Sequence, residues 1–458
     1  MNLKMYVPFY KRNLAVAVPV ILSQIGQVVV QFADSMMVGR LGATQLASVS
    51  FAGAVFMVGM MFLMGTSMGL TPLVGQSASR GEHRKCANLF QNSFVMNFLM
   101  GGFVILLMFA GSFFMDRMGQ DAEVVEYGVP YFRIMLASLV PMLVFFSFKQ
   151  FMEGIGNTRV AMTITIAANI LNIALNYVLI YGKFGFPELG VLGAAYSTLI
   201  ARILMPVAFI VVFFTKKSLK SYFSYFNRNS FSVESVKKLF NVGMPIGGQI
   251  LVEQIAFGFT TIMAGWLGAV TLASHQIAMN ISTMVFMILC GLSAGTTIRV
   301  SHQFGKGNIE DMRKAAIASY HLTIFSVVIC DILILLFRSQ IPLLFTTDHE
   351  VITMAADLMI ILSIYLLPDG LQNVALGALR GISDVKAPMV YAIISYLFLN
   401  IPIGYFCGFV LGYGVMGVWV GFIAGLSAAS ILFMIRFRKK AKIYEMEQSE
   451  CENAVLVA

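Results

Sequence analysis

Leu322–Phe337 reads LTIFSVVICDILILLF, with one charged residue, Asp331. Ile203–Phe214 (ILMPVAFIVVFF) and Phe103–Ala110 (FVILLMFA) carry none. Such runs lack both the one-sided stripe of a soluble amphipathic helix and the alternation of a half-buried strand. Over the 458 residues, 58% are hydrophobic and 12% charged, against roughly 25% charged in ordinary soluble proteins. A bilayer core of about 30 Å needs about 20 apolar residues per helix. Only helices and closed barrels satisfy their backbone hydrogen bonds in lipid, and a barrel would show short alternating segments. The chain therefore reads as an all-α polytopic membrane protein with twelve spans. They are placed at 14–38, 46–73, 87–113, 128–152, 160–182, 190–214, 240–264, 271–298, 315–337, 355–378, 387–411 and 414–436.

The net charge of +9 would point to nucleic acid in a soluble protein, but here the positive charge gathers in loops. One set of loops holds Arg80, Arg84 and Lys85; Arg159; Lys216, Lys217, Lys220, Arg228, Lys237 and Lys238; Lys306, Arg313 and Lys314; Arg380 and Lys386. The alternating set is poor in Lys and Arg: Asp116–Glu126, Tyr181–Gly190, Trp266–Val270, Arg338–Glu350 and Leu411–Gly414. The positive-inside rule places the first set, and both termini, in the cytoplasm. Arg436, Arg438, Lys439, Lys440 and Lys442 hold the last helix on that side. Lys4, Lys11 and Arg12 precede the first apolar run without a clean cleavage site, so that run reads as a retained span. The five cysteines show no CxxC spacing and imply neither metal site nor disulfide framework.

The loop Thr215–Ser235 is basic and amphipathic through Leu219, Tyr222, Phe223, Tyr225 and Phe226. It reads either as a helix lying on the inner leaflet or as a plain connector. It divides the chain into an N-lobe (1–214), a linker (215–235), a C-lobe (236–440) and a cytoplasmic tail (441–458) expected to be disordered from Tyr444.

The two lobes repeat one pattern. A shift of 226 puts Pro19 on Pro245, Gly39, Leu41, Gly42 and Ala43 on Gly265, Leu267, Gly268 and Ala269, and Ser67, Thr71 and Val74 on Ser293, Thr297 and Val300. A shift of 227 pairs Pro141 with Pro368 and Gly154 with Gly381; a shift of 228 pairs Asn172 and Tyr177 with Asn400 and Tyr405. Six spans per copy make the repeats parallel. Transporters of this construction place their sites near the midplane between rocking bundles, which favours a carrier over a channel or a membrane enzyme. No Ser/His/Asp or metal-ligand cluster supports an enzyme.

A charge at the centre of a span costs about 2.5–3.5 kcal/mol on insertion scales. Asp34, Glu253 and Asp369 are the foremost such residues. Under the repeat Glu253 falls on Gln27 and Asp34 on Thr260, seven positions apart, or about 10.5 Å along one helix face. Each lobe thus carries an acid in one common frame. Pro368 frees a backbone carbonyl beside Asp369, and Tyr365 lies one turn earlier on the same face. If the two spans approach, Glu253, Asp369 and Tyr365 make an oxygen-lined pocket, where two carboxylates need a cation or a proton to neutralise them. In the N-lobe, Asn169, Asn172, Asn176 and Thr198 are placed to hydrogen-bond Asp34, or equally to act as packing glue. Pairing of each acid with a neighbouring Ser, Thr or Lys is the competing structural reading. Glu153, Asp331 and Asp357 read as interfacial, Arg202 as snorkelling or paired, and His275 and Gln276 as structural. The abundant Met and Phe are mostly core or lipid-facing, though some suit an adaptable cavity for organic cations.

The stretches Asp34–Leu46 (DSMMVGRLGATQL), Thr71–Gln76 (TPLVGQ), Leu171–Tyr177 (LNIALNY), Tyr181–Gly190 (YGKFGFPELG), Ala273–Asn280 (ASHQIAMN) and Leu379–Asp384 (LRGISD) together resemble the MATE (multidrug and toxic compound extrusion) transporters, in the NorM-type bacterial branch. The resemblance runs from Pro19 to Arg436. It implies two six-helix lobes forming a V-shaped cleft, and export of amphipathic, often cationic drugs driven by inward Na+ or H+. It implies a monomer in a bacterial inner membrane and no cofactor beyond the coupling ion. It places the N-lobe acid on Asp34, with Asn172, Asn176 and Thr198 as polar partners. The C-lobe cation site falls on Glu253, Tyr365 and Asp369, with Glu253 and Asp369 as the Na+ ligands. Asn176 stands where some members carry Asp, and Pro368 and Gly370 flank Asp369 less typically. Keeping both C-lobe acids favours Na+, with H+ open. A flippase for a lipid-linked precursor, or an exporter of an endogenous metabolite, is the alternative; a flippase calls for a cationic interior, and acids dominate here.

Overall fold

A computed structural model describes the backbone of residues 3–227 and 230–457; Arg228 lies outside the described residues. Among these, twelve helices are long and apolar enough to cross a membrane. They are α1 (Lys4–Gly39), α2 (Ala43–Ser79), α3 (His83–Arg117), α4 (Ala122–Gly154), α5 (Thr158–Tyr181), α6 (Val191–Thr215), α7 (Val233–Trp266), α8 (Ala269–Gly305), α9 (Ile309–Leu336), α10 (His349–Gly381), α11 (Lys386–Val410) and α12 (Gly414–Glu450). With no strand among the described residues, the chain is the all-α, multi-pass membrane protein that its apolar runs imply.

Helices outrun the apolar segments at several ends, because a backbone ladder does not stop where lipid gives way to water. The clearest case is the C-terminus. The disorder expected from Tyr444 is not found: α12 continues as helix to Val457. Its Glu, Lys, Gln, Met and Ala residues are strong helix formers. Tyr444 packs on Phe304, with ring centroids 4.9 Å apart, and Glu445 meets Arg313 at 2.9 Å.

The chain forms two compact units: Leu22–Gly247, and Met1–Ile21 with Gly248–Ala458. Each changeover lies two residues beyond a helix-interior proline, Pro19 in α1 and Pro245 in α7. Proline removes an i→i−4 hydrogen bond and loosens the helix there.

In the first unit, α4 packs on α2, α3 and α6 around fully buried Phe56, Phe90, Phe132, Phe145, Phe151, Phe209 and Phe213. The linker belongs to this aromatic core. Its helix Lys217–Phe223 buries Leu219 and Tyr222, stacks Tyr222 edge-on against Phe151 and sets Phe223 against Phe213. Leu219 and Tyr222 are thus covered by the bundle, while Tyr225 stays exposed.

In the second unit, α10 packs on α8, α9 and α12 around Tyr365, Tyr396, Trp419, Phe422 and Phe433. Helix α11 departs from α geometry at Ile394–Asn400 and Phe406–Val410, which are π-helical. Gly417, Gly421 and Gly425 on α12 face this irregular helix: a Cβ at Gly421 would stand 2.4 Å from the Asn400 carbonyl oxygen. Close backbone approach through small residues is the usual basis of helix association in lipid.

The repeat is present in three dimensions as one contact made twice. A Cβ on Gly154 would meet Val74 Cβ at 2.8 Å and the Thr71 carbonyl at 3.0 Å; on Gly381 it would meet Val300 Cβ at 2.8 Å and the Thr297 carbonyl at 3.0 Å. Thr71 Oγ1 donates to the Gln150 carbonyl at 3.1 Å, and Thr297 Oγ1 to the Gly377 carbonyl at 2.9 Å. Each contact falls on the other under the shifts of 226 and 227.

Overpacking a close helix contact costs about 1–3 kcal/mol, so Gly381→Leu and Gly154→Leu will each lower the thermal unfolding midpoint of the detergent-purified protein. Gly102→Leu, where an added Cβ meets nothing within 4 Å, will unfold near the wild-type temperature.

Candidate cation site

Two polar clusters lie inside the bundles, one in each unit. In Leu22–Gly247, Asp34 hangs from α1, late in the helix, and accepts a hydrogen bond from Asn176 Nδ2 on α5. Asn172, one turn before Asn176, donates to Thr198 Oγ1 on α6 at 3.3 Å and accepts from Asn176 at 3.3 Å. With its amide turned over, Asn172 instead donates to Asp34 Oδ1 at 3.2 Å and accepts from the Thr198 backbone N–H at 3.3 Å. Asn169 stands outside this network, its buried Nδ2 without a hydrogen-bond partner. Arg202, one turn beyond Thr198, lies in the electrostatic neighbourhood of Asp34 and Tyr131. Its guanidinium donates to Ser138 Oγ at 2.6 Å and sits 5.1 Å from the Phe56 ring centre. It is thus hydrogen-bonded to a neutral hydroxyl and lies over an aromatic ring inside the bundle.

The second cluster is more enclosed. Asp369 on α10 and Glu253 on α7 are both buried. Gln372 Nε2 faces both carboxylates, 3.4 Å from Glu253 Oε1 and 3.5 Å from Asp369 Oδ1. Tyr396 OH, on the π-helical stretch of α11, lies 3.3 Å from Glu253 Oε1 and 2.8 Å from Gln372 Oε1. Asn373 Nδ2 donates to Asp369 Oδ1 at 3.0 Å. Tyr365 OH accepts from Ser282 Oγ of α8 at 3.2 Å, and its ring packs on Trp419 at 5.7 Å between centroids. Asp369 Oδ2 is buried and has no hydrogen-bond partner. A buried carboxylate oxygen of this kind calls for a cation or a proton. The surrounding carboxyl, amide and phenol oxygens are hard donors of the type that hold alkali and alkaline-earth ions. Among the described residues no group of three or more His, Cys, Asp or Glu could hold a metal ion, so only two acids supply charge here.

Comparison with known proteins decides the family. The MatE family model matches the chain twice, at residues 19–178 and 245–406, once in each copy of the repeat and starting at Pro19 and Pro245. The chain belongs to the MatE family. This MATE chain is 31% identical over 435 residues to the multidrug resistance protein NorM of Photobacterium profundum, covering 93% of this chain and 95% of that one. It is 32% identical over 438 residues to a probable multidrug resistance protein NorM of Rhizobium meliloti, covering 93% of each. A solved structure described as the outward-facing conformation of a multidrug resistance MATE family transporter of the MOP superfamily superposes with a TM-score of 0.87. At 23% identity over 96% of this chain and 97% of that one, it shows the shared fold. The protein is thus a NorM-type MATE transporter and not an enzyme.

Sequence reading alone misplaces several residues of this MATE chain. Arg380, read as a cytoplasmic loop residue, is buried in the last turn of α10 and donates from Nη2 to Gln249 Oε1 at 2.8 Å. Glu153, one residue from the end of α4, is buried at 5% exposure beside Lys149 at 3.9 Å; the cation one turn earlier makes its burial tolerable. Asp357 is exposed and Asp331 half-buried. His275 is fully buried, taking the Trp419 indole N–H on Nδ1 at 3.1 Å with Nε2 3.1 Å from Thr261 Oγ1, a structural role. Gln372 and Asn373 were missed although they lie three and four residues after Asp369, where helical periodicity alone exposes them. Tyr396 and Ser282 come from other helices, and no spacing could have pointed to them.

Gln372→Leu will strip a shared donor from both carboxylates. Unsatisfied buried groups cost about 1–3 kcal/mol, so its unfolding midpoint will fall, whereas Gln372→Glu will regain stability on acidification as the added carboxyl is protonated.

Proposed function

We propose that the protein is a cation-coupled antiporter that exports amphipathic, cationic organic compounds by alternating access. Inward movement of Na+ or H+ supplies the energy. The observation that carries this reading is the pair of buried carboxylates, Glu253 and Asp369, bridged by Gln372 and Tyr396. Two acids this close in a low-dielectric interior repel unless a cation or proton joins them, so ion binding and the packing of α7, α10 and α11 are coupled. Retention of both acids favours Na+. The relatives named multidrug resistance protein NorM support drugs as the cargo.

Glu253 and Asp369 then hold the ion, with Tyr365 shaping the site through Ser282 and Trp419. Asp34 takes the second role. Its carboxylate is fixed by Asn176 and its network to Thr198, and a negative charge held within a bundle attracts a cationic guest. The loop charges support a bacterial inner-membrane orientation with both termini in the cytoplasm.

Ethidium export from inverted vesicles measures the coupling. Wild type will transport under an imposed Na+ or H+ gradient; Glu253→Gln and Asp369→Asn will lose the ion dependence, and Asp34→Asn will lose net export. Gradient-independent fluxes in wild type, or wild-type fluxes in all three variants, refute the assignment. In intact cells, a membrane-impermeant maleimide will label Gln120→Cys and spare Lys306→Cys in a cysteine-free background; the reverse pattern refutes the orientation.

A further inference from the structure

The unit that holds the Glu253–Asp369 cluster also holds a buried cation that the transport scheme does not use. Arg380 is buried at the end of α10, on the helix that carries Asp369. Its Nη2 bonds Gln249 Oε1 at 2.8 Å, and Gln249 lies four residues before Glu253 on α7, about 6 Å of helix rise. The guanidinium is thus held against the α7 residue one turn before Glu253. Its Nε has no hydrogen-bond partner, so Gln249 fixes its position without neutralising it. No carboxylate forms a salt bridge with it among the described residues.

The charge count follows from burial. In the unit Met1–Ile21 with Gly248–Ala458, the buried ionisable side chains among the described residues are Glu253, Asp369, Arg380, His275 and tyrosines. His275 accepts the Trp419 N–H on Nδ1 and is neutral. With both acids ionised, two acids and one arginine carry one net negative charge. In the unit Leu22–Gly247 the buried charges, Lys149 and Glu153, cancel, and half-buried Asp34 has Arg202 in its electrostatic neighbourhood. Arginine is the residue suited to this role, because its guanidinium stays protonated where a buried lysine would not.

We propose that Arg380 is a specificity-determining internal counter-ion: it holds the Glu253–Asp369 site at one net negative charge, so that the site takes one monovalent cation and rejects a divalent one. This rests on the ion-coupled reading of the same site. Remove the guanidinium and the two carboxylates demand two positive charges, a donor set suited to Ca2+, which binds carboxylate, carbonyl and amide oxygens in flexible geometry.

Trp419 reports the test. It packs on Tyr365, and the chain has two tryptophans, so a Trp266→Phe background leaves it alone. The full chain, purified in detergent, is titrated with NaCl and with CaCl2 against choline chloride at constant ionic strength. Wild type will give a one-site Na+ curve and a much weaker Ca2+ response. Arg380→Gln will lower the CaCl2 concentration at half-response by about tenfold, as expected for loss of a neighbouring unit charge. The double variant Glu253→Gln/Arg380→Gln, with the wild-type net charge, will restore preference for Na+, while Glu253→Gln alone, with no net charge, will answer neither salt. A Ca2+ response in Arg380→Gln equal to wild type, or a double variant no different from Glu253→Gln alone, overturns the proposal even if the first variant is unstable. A wild-type protein silent to both salts overturns the proposal; the ion-coupled reading falls only if ethidium export is also independent of Na+ and H+ gradients.

Discussion

A charge held out of water must be compensated, and that constraint shapes the interior of this protein. Apolar area accounts for the twelve helices, but it does not say why α7, α10 and α11 converge on one point. Glu253 and Asp369 cannot be buried alone at tolerable cost, since removing a carboxylate from water costs several kcal/mol after relaxation. Gln372, Asn373 and Tyr396 supply donors, and Arg380 supplies an opposite charge held by Gln249. Lys149 and Glu153 answer the same constraint near the end of α4 by pairing with each other.

The duplication sets where those groups sit. Gly154 against Val74 and Gly381 against Val300 are the same close approach made twice, and Thr71 and Thr297 tie the same helix pairs by the same hydrogen bond. On this common frame the side chains diverge. Glu153 occupies the repeat position of Arg380, and Gln27 that of Glu253. The duplicated scaffold fixes helix contacts, and substitutions within it decide which copy carries unbalanced charge. The π-helical stretches of α11 add a departure of their own. One presents Tyr396 to the acids, and such bulges recur at functional sites.

Much of this was legible in the residues. Apolar runs, loop charge and the fixed shift between prolines and glycines gave the helices, their number and the two copies, because each is set by the solvent or by local backbone chemistry. Asp34, Glu253 and Asp369 were legible for the same reason: a lone acid in a long apolar run is conspicuous in any solvent argument. Arg380 was misread because proximity to a span end looks the same in sequence whether the side chain turns to water or into the bundle. The tail is polar yet helical, because its residues are strong helix formers docked by Tyr444 and Glu445; polarity by itself does not separate an exposed helix from disorder.

The sequence by itself determined that the chain is helical, membrane-spanning and duplicated, since hydrophobic length and repeated turn residues act locally and need no knowledge of neighbours. Only the tertiary structure decided which polar groups meet. Tyr396 reaches Glu253 across 143 residues and Arg380 reaches Gln249 across 131. Encounters at that separation are fixed by how the helices pack, and packing is a property of the whole unit that holds them.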